Sequence, residues 1–433
     1  MIAALPAGHP QTLPQSAAEG PVRVLHVLGS LDPGGVESWL LALLPELDPT
    51  RWRFDFCTLG PAPGRYAARA RSLGATVLSC PLGSGFNRWA FALRLHRLLR
   101  LGGYGVVHSH VHHFSAVVLG AARAAGVGVR VGHSHNTSDG RSNTVRRALY
   151  RALARRLLGR IETRGLACSA PAAAALFGPD WESGARVSVL PYGIPAWQDP
   201  GADRDSLRGE LGLDPSAPVV GHVGRFEPQK NHLFLLQMAA AARTLRPKLR
   251  WLLVGEGPLR APLARQARQL GIDNRIVTCG LRDDVRRLMS GAMDAFVLPS
   301  LWEGLPVALL EAQAAGLRSV ASTRVPREAS VVPLAVEFAP LEAGPHYWAR
   351  RVLASLDAPR IAPADAARSI EERGLTIGCS LARLLAAYQT GTPGGRHVSA
   401  PAPTRPGAAA RQPAHPPAFA LPPHGGAALR GRP

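Results

Sequence analysis

Lysine is almost absent from this chain, and acidic residues are outnumbered by basic ones. Only Lys230 and Lys248 occur among 50 lysines and arginines, against 30 aspartates and glutamates, so the formal net charge of +20 is carried almost entirely by arginine. A charge of this sign predicts an anionic partner: nucleic acid, an anionic membrane surface or a phosphorylated substrate. Because Ala, Gly, Pro and Arg are abundant throughout, the positive charge can also reflect the general amino-acid composition encoded by the source genome.

Paired cysteines and long apolar runs are also missing. The five cysteines are scattered and form no C-x-x-C pair, so they indicate neither a disulfide framework nor a zinc site and favour a reducing compartment. No apolar run reaches the roughly 18 residues needed to cross a bilayer. The N-terminal stretch MIAALPAGHPQTLPQSAAEG lacks the regions of a secretory signal. We therefore expect a cytoplasmic protein that meets a membrane only at its inner surface.

Short apolar runs alternate with helical patterns along most of the chain, which is typical of a parallel, doubly wound sheet. One series begins with VRVLHVLG, and a second begins with VVGHVGR. Between them, VSVLPYGIPAWQDPGAD is rich in proline and glycine and predicts an interdomain connection. The predicted organisation is a disordered N-terminal extension (1–21), two Rossmann-like domains (22–196 and 197–390), and a disordered tail rich in Pro, Ala and Arg (391–433).

The stretch LWEGLPVALLEAQAAGL places two glutamates, Glu303 and Glu311, around a predicted strand-to-helix turn. Pro306 predicts the first helical position, and the amides of Gly304 and Leu305 then form a donor site at the positive end of the helix dipole. Ligands bind at such strand ends in open α/β sheets. The pair suits a nucleoside diphosphate sugar, although a helix with one N-terminal acid and one exposed acid has the same spacing.

Two other loops carry groups suited to phosphate. In GHVGRFEPQKNH, Arg225 and Lys230 follow a predicted strand and can neutralise a diphosphate, unless both are simply solvated loop cations. In LDPGGVE, Gly34 and Gly35 allow a ligand to approach the backbone, without the spacing of a dinucleotide-binding fingerprint.

Histidines are concentrated in VVHSHVHHF and VGHSHNTS, each at the end of a predicted strand. Because no i,i+4 histidine pair is evident on a predicted helix, we predict no metal site. His133 is a candidate hydrogen-bonding or acid/base group facing the same crevice.

Two predicted helices, NRWAFALRLHRLLRLGG and TVRRALYRALARRLLGRIETRG, mix arginine with leucine and aromatic residues. A basic amphipathic helix can lie on an anionic membrane. An ordinary Rossmann helix with a solvated basic face has the same composition.

Taken together, these motifs resemble the retaining glycosyltransferases of family 4, which have the GT-B fold. The resemblance extends from about Val22 to Tyr388 and includes GGVE, VGHSHN, VLPYGI, WLLVGEGPL and GLRDDVRRLM. The E-x7-E spacing from Glu303 to Glu311 is the family hallmark, and GHVGRFEPQKNH with VGHSHN looks most like the branch that builds bacterial capsular or exopolysaccharide units. TRVPREASVVPLAVEFAPLEAG fits only loosely, at the donor-sugar end of the site.

The resemblance implies two Rossmann-like domains that face each other across a cleft. Arg225 and Lys230 would hold the donor diphosphate, Glu303 the transferred sugar, and Glu311 the ribose. The implied catalytic residues are His133, Arg225, Lys230 and Glu303, and the implied donor-binding residues are Gly34, Gly35, Arg225, Lys230, Arg282, Glu303, Gly304, Leu305 and Glu311.

The implied reaction is a retaining, metal-independent transfer without a cofactor. A hexosyl or N-acetylhexosaminyl group would move from a nucleotide sugar, with a UDP-sugar as the expected donor. The acceptor would be a lipid-linked or similar saccharide at an anionic membrane surface. One alternative is a GT-B-fold nucleotide-sugar epimerase. An alternative of another class is a basic nucleic-acid-binding protein; since the sequence has no zinc-finger pattern or aromatic RNA-binding signature, we expect no nucleic-acid partner.

Overall fold

The computed structural model describes residues 20–83, 87–138, 140, 144–184, 186–196 and 204–390. Residues 1–19 of the predicted N-terminal extension and the whole predicted tail, 391–433, lie outside these ranges. Both of those predictions therefore stay predictions.

The N-terminal half is built on a parallel sheet of seven strands in the order β3-β2-β1-β4-β5-β6-β7. The strands are β1 (Val22–Leu28), β2 (Trp52–Thr58), β3 (Val77–Ser79), β4 (Val106–Ser109), β5 (Val129–Ser134), β6 (Arg164–Ala167) and β7 (Val187–Val189). The helices between them are α1 (Gly35–Leu43), α2 (Ala67–Ser72), α3 (Arg88–Gly102), α4 (Ser115–Ala124), α5 (Val145–Ile161) and α6 (Ala170–Phe177). The strand order reverses between β1 and β4, which is where ligands bind in such sheets.

The C-terminal half repeats the plan with a parallel sheet of six strands in the order β10-β9-β8-β11-β12-β13. Its strands are β8 (Val219–Val223), β9 (Arg250–Val254), β10 (Ile276–Thr278), β11 (Ala295–Leu298), β12 (Arg318–Ser322) and β13 (Val336–Ala339). Its helices are α7 (Arg204–Glu210), α8 (His232–Ala242), α9 (Arg260–Gln269), α10 (Val285–Arg287), α11 (Val307–Ala314), α12 (Gly344–Asp357), α13 (Pro363–Glu372) and α14 (Ile377–Thr390).

Central strands form because their apolar runs are covered on both faces, as parallel sheets require. All four residues of β11 are buried, and so are the last five of β1. Local capping fixes several helix ends. The Asn87 side chain accepts from the Ala90 amide at 3.1 Å at the start of α3, and Gly103 ends that helix with φ 62°.

The last helix leaves the C-terminal sheet and packs against the N-terminal one. The Tyr388 hydroxyl in α14 lies 2.7 Å from Nδ1 of His108, and the Trp39 indole donates to the Ser380 hydroxyl at 2.9 Å. A parallel bridge between Ile194 and Thr376 joins the same two parts of the chain. These contacts bury α14 residues against the N-terminal half and tie the two sheets together.

The predicted architecture of two Rossmann-like sheets facing across a cleft is confirmed. Strands β6, β7 and β13 were not predicted from the sequence. β7 and β13 are short edge strands with partly exposed residues, so neither has a continuous buried apolar run. β7 lies at the start of the stretch predicted as a connection. Helix α11 begins at Val307, so Pro306 is its N-cap residue and not the first helical residue.

Within the described residues, no helix combines the length and the apolar character that a bilayer span requires.

Candidate active site

A cleft of about 580 Å³ lies between the two sheets, at the carboxyl ends of their strands. Its walls come from the loops after β1, β4 and β5 on one side and after β8, β9, β10 and β11 on the other. Of the residues predicted for the site, the cleft is lined by Gly34, Gly35, Arg225, Lys230, Arg282, Glu303, Gly304, Leu305 and Glu311. The two domains therefore contribute to one site, as ligand binding at strand ends requires.

Two helix N-termini open into this cleft from opposite sides. Helix α1 starts after Gly34 and helix α11 after Pro306, and neither of these two N-cap residues makes a side-chain cap hydrogen bond. The carboxyl of Glu37 accepts a hydrogen bond from its own amide in the first turn of α1. A Cβ atom on Gly35 would lie 3.2 Å from the Cγ2 atom of Val307, so the two ends approach closely. The amides of a helix N-terminus favour an anion, and here two such ends meet.

The two predicted cations stand beside these helix ends. Lys230 donates to a carboxylate oxygen of the buried Glu303 at 2.6 Å, and Gln229 contacts the other oxygen at 3.2 Å. Arg225 is more exposed, with Glu227 at 3.6 Å. The residue after Lys230, Asn231, has a left-handed backbone (φ 54°) and is the N-cap residue of α8.

The second glutamate has a different environment. Glu311 is partly exposed on the cleft wall, and desolvation raises the pKa of its carboxyl from 4.5 to about 7, although the positive charge of Arg286 opposes the shift. Glu37, at the start of α1, has a pKa that desolvation likewise raises to about 7, against the charge of Arg225. Such displaced carboxyl pKa values are common in binding and catalytic clefts.

Arg282 lies on the part of the wall formed by the loop after β10. Its guanidinium donates to Asp284 at 2.7 Å and to Glu210 at 2.8 Å, so its side-chain charge is already neutralised. The preceding Gly280 has φ 69°, a conformation that favours glycine, and Leu281 lines the cleft. This arrangement is compatible with a contact made through the backbone of this loop.

The histidines form a buried layer at the ends of β1, β4 and β5. His133 is fully buried, whereas His110 and His135 line the cleft. His133 lies on β5 and His135 directly follows the end of this strand, and their ring centroids are 4.0 Å apart. The predicted contact between His133 and a sugar therefore stays a prediction, with His135 on the cleft surface beside it.

Burial keeps these imidazoles neutral. Desolvation holds the pKa of His133 and of His110 well below 6.5, and it lowers the pKa of His135 to about 3. His112, which also lines the cleft, has a left-handed backbone (φ 51°), a strained conformation that is often found at functional sites.

Several cleft residues were not identified from the sequence. Glu37, His110, His135, Gln229 and Tyr192 all line the cleft. The i,i+2 spacing in HSH was a usable signal, because it places both imidazoles of each pair on one face of a strand. Tyr192 and Gln229 lie inside two of the motifs quoted above, VLPYGI and GHVGRFEPQKNH, but neither residue was singled out there.

Two family models match this chain. The model described as Glycosyl transferase 4-like domain matches residues 34–193, and the one described as Glycosyl transferases group 1 matches residues 217–337. Together they cover most of both sheets.

Among similar sequences, EpsF of Bacillus subtilis (strain 168), which is named as a glycosyltransferase, is 34% identical over 306 residues, or 70% of this chain and 79% of EpsF. The UDP-Gal:alpha-D-GlcNAc-diphosphoundecaprenol alpha-1,3-galactosyltransferase of Escherichia coli is 35% identical over 142 residues, or 32% of this chain and 36% of that enzyme.

Among solved structures, Anabaena Alr3699/HepE in complex with UDP-glucose matches with a TM-score of 0.69 and 20% sequence identity, over 84% of this chain and 99% of that one. This likeness confirms the predicted GT-B fold.

Proposed function

This chain belongs to the family 4 glycosyltransferases, and we propose that it moves a sugar from a UDP-sugar to a lipid-linked saccharide, with retention of anomeric configuration. The observation that carries the proposal is the convergence of two helix N-termini and two cations, Arg225 and Lys230, in one cleft. A diphosphate needs both charge neutralisation and directed donors, and this corner of the cleft supplies both.

The diphosphate is held between the ends of α1 and α11, with Arg225 and Lys230 beside it. Lys230 is paired with Glu303 before the donor binds, so it is positioned in advance and its ammonium protons are shared on binding. As charge develops on the departing phosphate, both cations stabilise it. Because these cations supply the counter-charge, we expect turnover without a divalent ion at the diphosphate.

The two glutamates hold the two ends of the donor. Glu303, at the end of β11, contacts the transferred sugar together with the amides of Gly304 and Leu305. Glu311, inside α11, accepts hydrogen bonds from the ribose. The loop containing Gly280 and Arg282 borders the base. His133 is proposed beside the reacting centre, behind His135.

In the transfer step, the acceptor hydroxyl attacks the anomeric carbon on the face from which the diphosphate departs. The bond from that carbon to the phosphate oxygen breaks, and the hydroxyl proton passes to a donor phosphate oxygen. The products are the glycosylated acceptor and the nucleoside diphosphate. This route requires no enzymatic nucleophile, and the protein contributes positioning and charge.

The choice of donor and acceptor rests on similar proteins. Alr3699/HepE was crystallised with UDP-glucose, and the named substrates of the Escherichia coli relative are UDP-Gal and a diphosphoundecaprenol-linked GlcNAc. These names support a UDP-sugar and a lipid-linked acceptor, and with them a place in the synthesis of a bacterial capsular or exopolysaccharide.

An anionic membrane surface fits the outer face of the N-terminal half. Helix α5 carries arginines and no acid, and Val145, Leu149 and Leu153 expose 88%, 70% and 56% of their surface. On α3, Trp89 exposes 87%. Exposed apolar and basic side chains on one helix favour binding at an anionic interface, where a lipid-linked acceptor would be found.

The test is calorimetry with UDP, followed by a thermal-unfolding screen of nucleotide sugars. A ligand at 100 times its Kd should raise the free energy of unfolding by about 2.7 kcal/mol. Lys230→Ala should weaken UDP binding by about 10- to 100-fold, since hydrogen bonds to charged groups contribute about 1.5–3 kcal/mol. The control is Lys248→Ala, which removes the other lysine from an exposed position outside the cleft. Equal UDP affinity in both variants would place the diphosphate elsewhere.

A further inference from the structure

Five histidines at the ends of three neighbouring strands form one continuous layer that reaches the cleft wall. His26 on β1 is in register with His108 on β4. His110 follows the end of β4, and its ring centroid lies 5.7 Å from that of His133 on β5. His135 lies two positions beyond His133. The sequence argument against a metal considered histidine pairs on a helix, whereas this layer is assembled by strand register and the two-residue periodicity of strands.

The rings are close enough to share a metal ion. One ring nitrogen each of His110, His133 and His135 lies within 4.8 Å of the other two, and the same holds for His26, His108 and His110. A metal–nitrogen distance of about 2.0–2.1 Å places tetrahedral ligand atoms about 3.3 Å apart. Small rotations of the rings would therefore suffice.

In His110, His133 and His135, one ring nitrogen already lies within hydrogen-bonding distance of another side chain. His110 Nε2 lies 3.0 Å from His26 Nδ1, His133 Nδ1 lies 3.1 Å from His108 Nε2, and His135 Nδ1 lies 2.6 Å from the Tyr192 hydroxyl. In a metal-binding histidine, the ring nitrogen that does not bind the metal usually makes a hydrogen bond of this kind, which fixes the orientation of the ring.

The other ring nitrogens of His110, His133 and His135 differ in their hydrogen bonds. Nε2 of His133 is buried and has no hydrogen-bond partner among the described residues. Nδ1 of His110 and Nε2 of His135 lie 2.7 Å apart. Without a metal, one of these nitrogens must be protonated and donate a hydrogen bond to the other. With a metal, all three would present lone pairs.

We propose that His110, His133 and His135 bind a transition-metal ion that favours imidazole, such as Zn²⁺, Ni²⁺ or Co²⁺. Neutral imidazoles without a carboxylate ligand suit these ions better than Mg²⁺ or Ca²⁺. His110 and His135 line the cleft, which gives the ion a route in and leaves a coordination position facing the cleft. The second trio shares His110, and its other members, His26 and His108, are fully buried.

The proposal is tested on full-length protein without a polyhistidine tag, after chelator treatment and dialysis. Co²⁺ is added first, because its visible absorption reports four-coordinate nitrogen ligation, and Zn²⁺ is then used to displace it. We expect one ion per chain and a higher unfolding temperature. His133→Ala should weaken binding by more than about 100-fold, the upper end of what the loss of an outer-shell partner costs.

The matched control is His232→Ala, a buried histidine in the C-terminal domain whose ring nitrogens are also without partners among the described residues. This variant should bind Co²⁺ like the unaltered protein. If His133→Ala does not fold, His135→Asn on the cleft surface gives the same test. Absence of stoichiometric Co²⁺ and Zn²⁺ binding overturns the proposal, as does binding that survives loss of His133 and disappears in His26→Ala. All readouts are independent of glycosyl transfer.

Discussion

At the scale of single residues, Glu303 and Glu311 differ in what they already contact. Glu303 is buried against Lys230, whereas the carboxyl of Glu311 faces Arg286 from the cleft wall. We predict that Glu311→Gln weakens binding of the donor and of free UDP alike by about 10- to 100-fold, because both contain the ribose and a charged hydrogen bond contributes about 1.5–3 kcal/mol. The loss should appear in KM.

Glu303→Gln should instead lower kcat and leave UDP affinity nearly unchanged, because UDP lacks the transferred sugar and Lys230 stays available for phosphate. Calorimetry with UDP and steady-state kinetics with the full donor measure the two effects separately. If both variants lose UDP affinity equally, the two carboxylates do not divide the donor between them.

The raised pKa of Glu311 predicts a pH dependence. Its carboxyl is mostly protonated at pH 6 and ionised at pH 8, because desolvation places the pKa at about 7. An ionised carboxylate is the better acceptor for ribose hydroxyls, so affinity for the nucleoside should rise between these pH values. Calorimetry with uridine, whose ribose is present without titrating phosphates, measures the rise, and Glu311→Gln should abolish it.

The same shift has the opposite effect on stability. Since the folded state holds the proton more tightly than the unfolded chain, the contribution of Glu311 to the free energy of unfolding is favourable at low pH. It is lost between an ordinary carboxyl pKa of 4.5 and about 7. Denaturant unfolding of the unaltered protein and of Glu311→Gln between pH 4.5 and 8 would measure this, and parallel pH profiles would contradict the assignment.

Sequence reasoning placed four proposed donor-binding residues correctly on the cleft wall, because each follows a single strand or lies in the helix after it. Arg225, Lys230, Glu303 and Glu311 are of this kind. The histidines are different, because whether His133 or His135 reaches the cleft depends on where β5 ends and on its register with β4. The sequence specifies neither the end of β5 nor this register.

At the scale of elements, helix α5 carries a row of exposed apolar residues four positions apart: Val145, Leu149, Leu153 and Leu157. We predict that the protein co-sediments with vesicles containing anionic lipid and is released by salt, since the screening length falls from about 10 Å at 0.1 M to about 3 Å at 1 M. Replacing Leu149 and Leu153 by serine should reduce co-sedimentation without lowering the unfolding temperature, because both side chains are exposed.

The control replaces Leu233 and Leu245, which are about half exposed in the C-terminal half, by serine. That variant should bind vesicles normally. A chain ending at Thr390 is measured alongside, because residues 391–433 contain further arginines. Equal binding to neutral vesicles, or equal loss in the two leucine pairs, would count against a role for α5.

Elements with long apolar runs were predictable, and elements that depend on distant partners were not. The apolar runs of β1 and β11 predict these two strands, whereas β13 is a short edge strand that depends on pairing with β12. Helix α14 has an apolar face in its sequence. That this face meets Trp39 and His108 of the other half follows only from the assembled fold.

At the scale of the whole molecule, the two halves meet closely at Gly304. Its carbonyl accepts from the Ser169 hydroxyl at 2.8 Å, and a Cβ atom there would overlap the His135 carbonyl and lie 2.8 Å from Sγ of Cys168. Residues of both sheets are therefore fixed around one glycine. Sequence motifs predicted that Gly304 lies near the ligand, but they gave no indication that it also sets the separation of the domains.

We predict that Gly304→Ala destabilises the protein by about 1–3 kcal/mol, the usual cost of forcing extra volume into a packed region, or relieves the overlap by moving the domains apart. Thermal unfolding detects the first result, and an increased radius of gyration in X-ray scattering detects the second. The control is Gly159→Ala in α5, where an added Cβ meets nothing within 4 Å and should stabilise the helix by about 0.5–1 kcal/mol. Because the closest obstruction at Gly304 is backbone, no side-chain rotation can remove it. Unchanged stability together with an unchanged radius of gyration would show that the cleft is wider in solution than this contact requires.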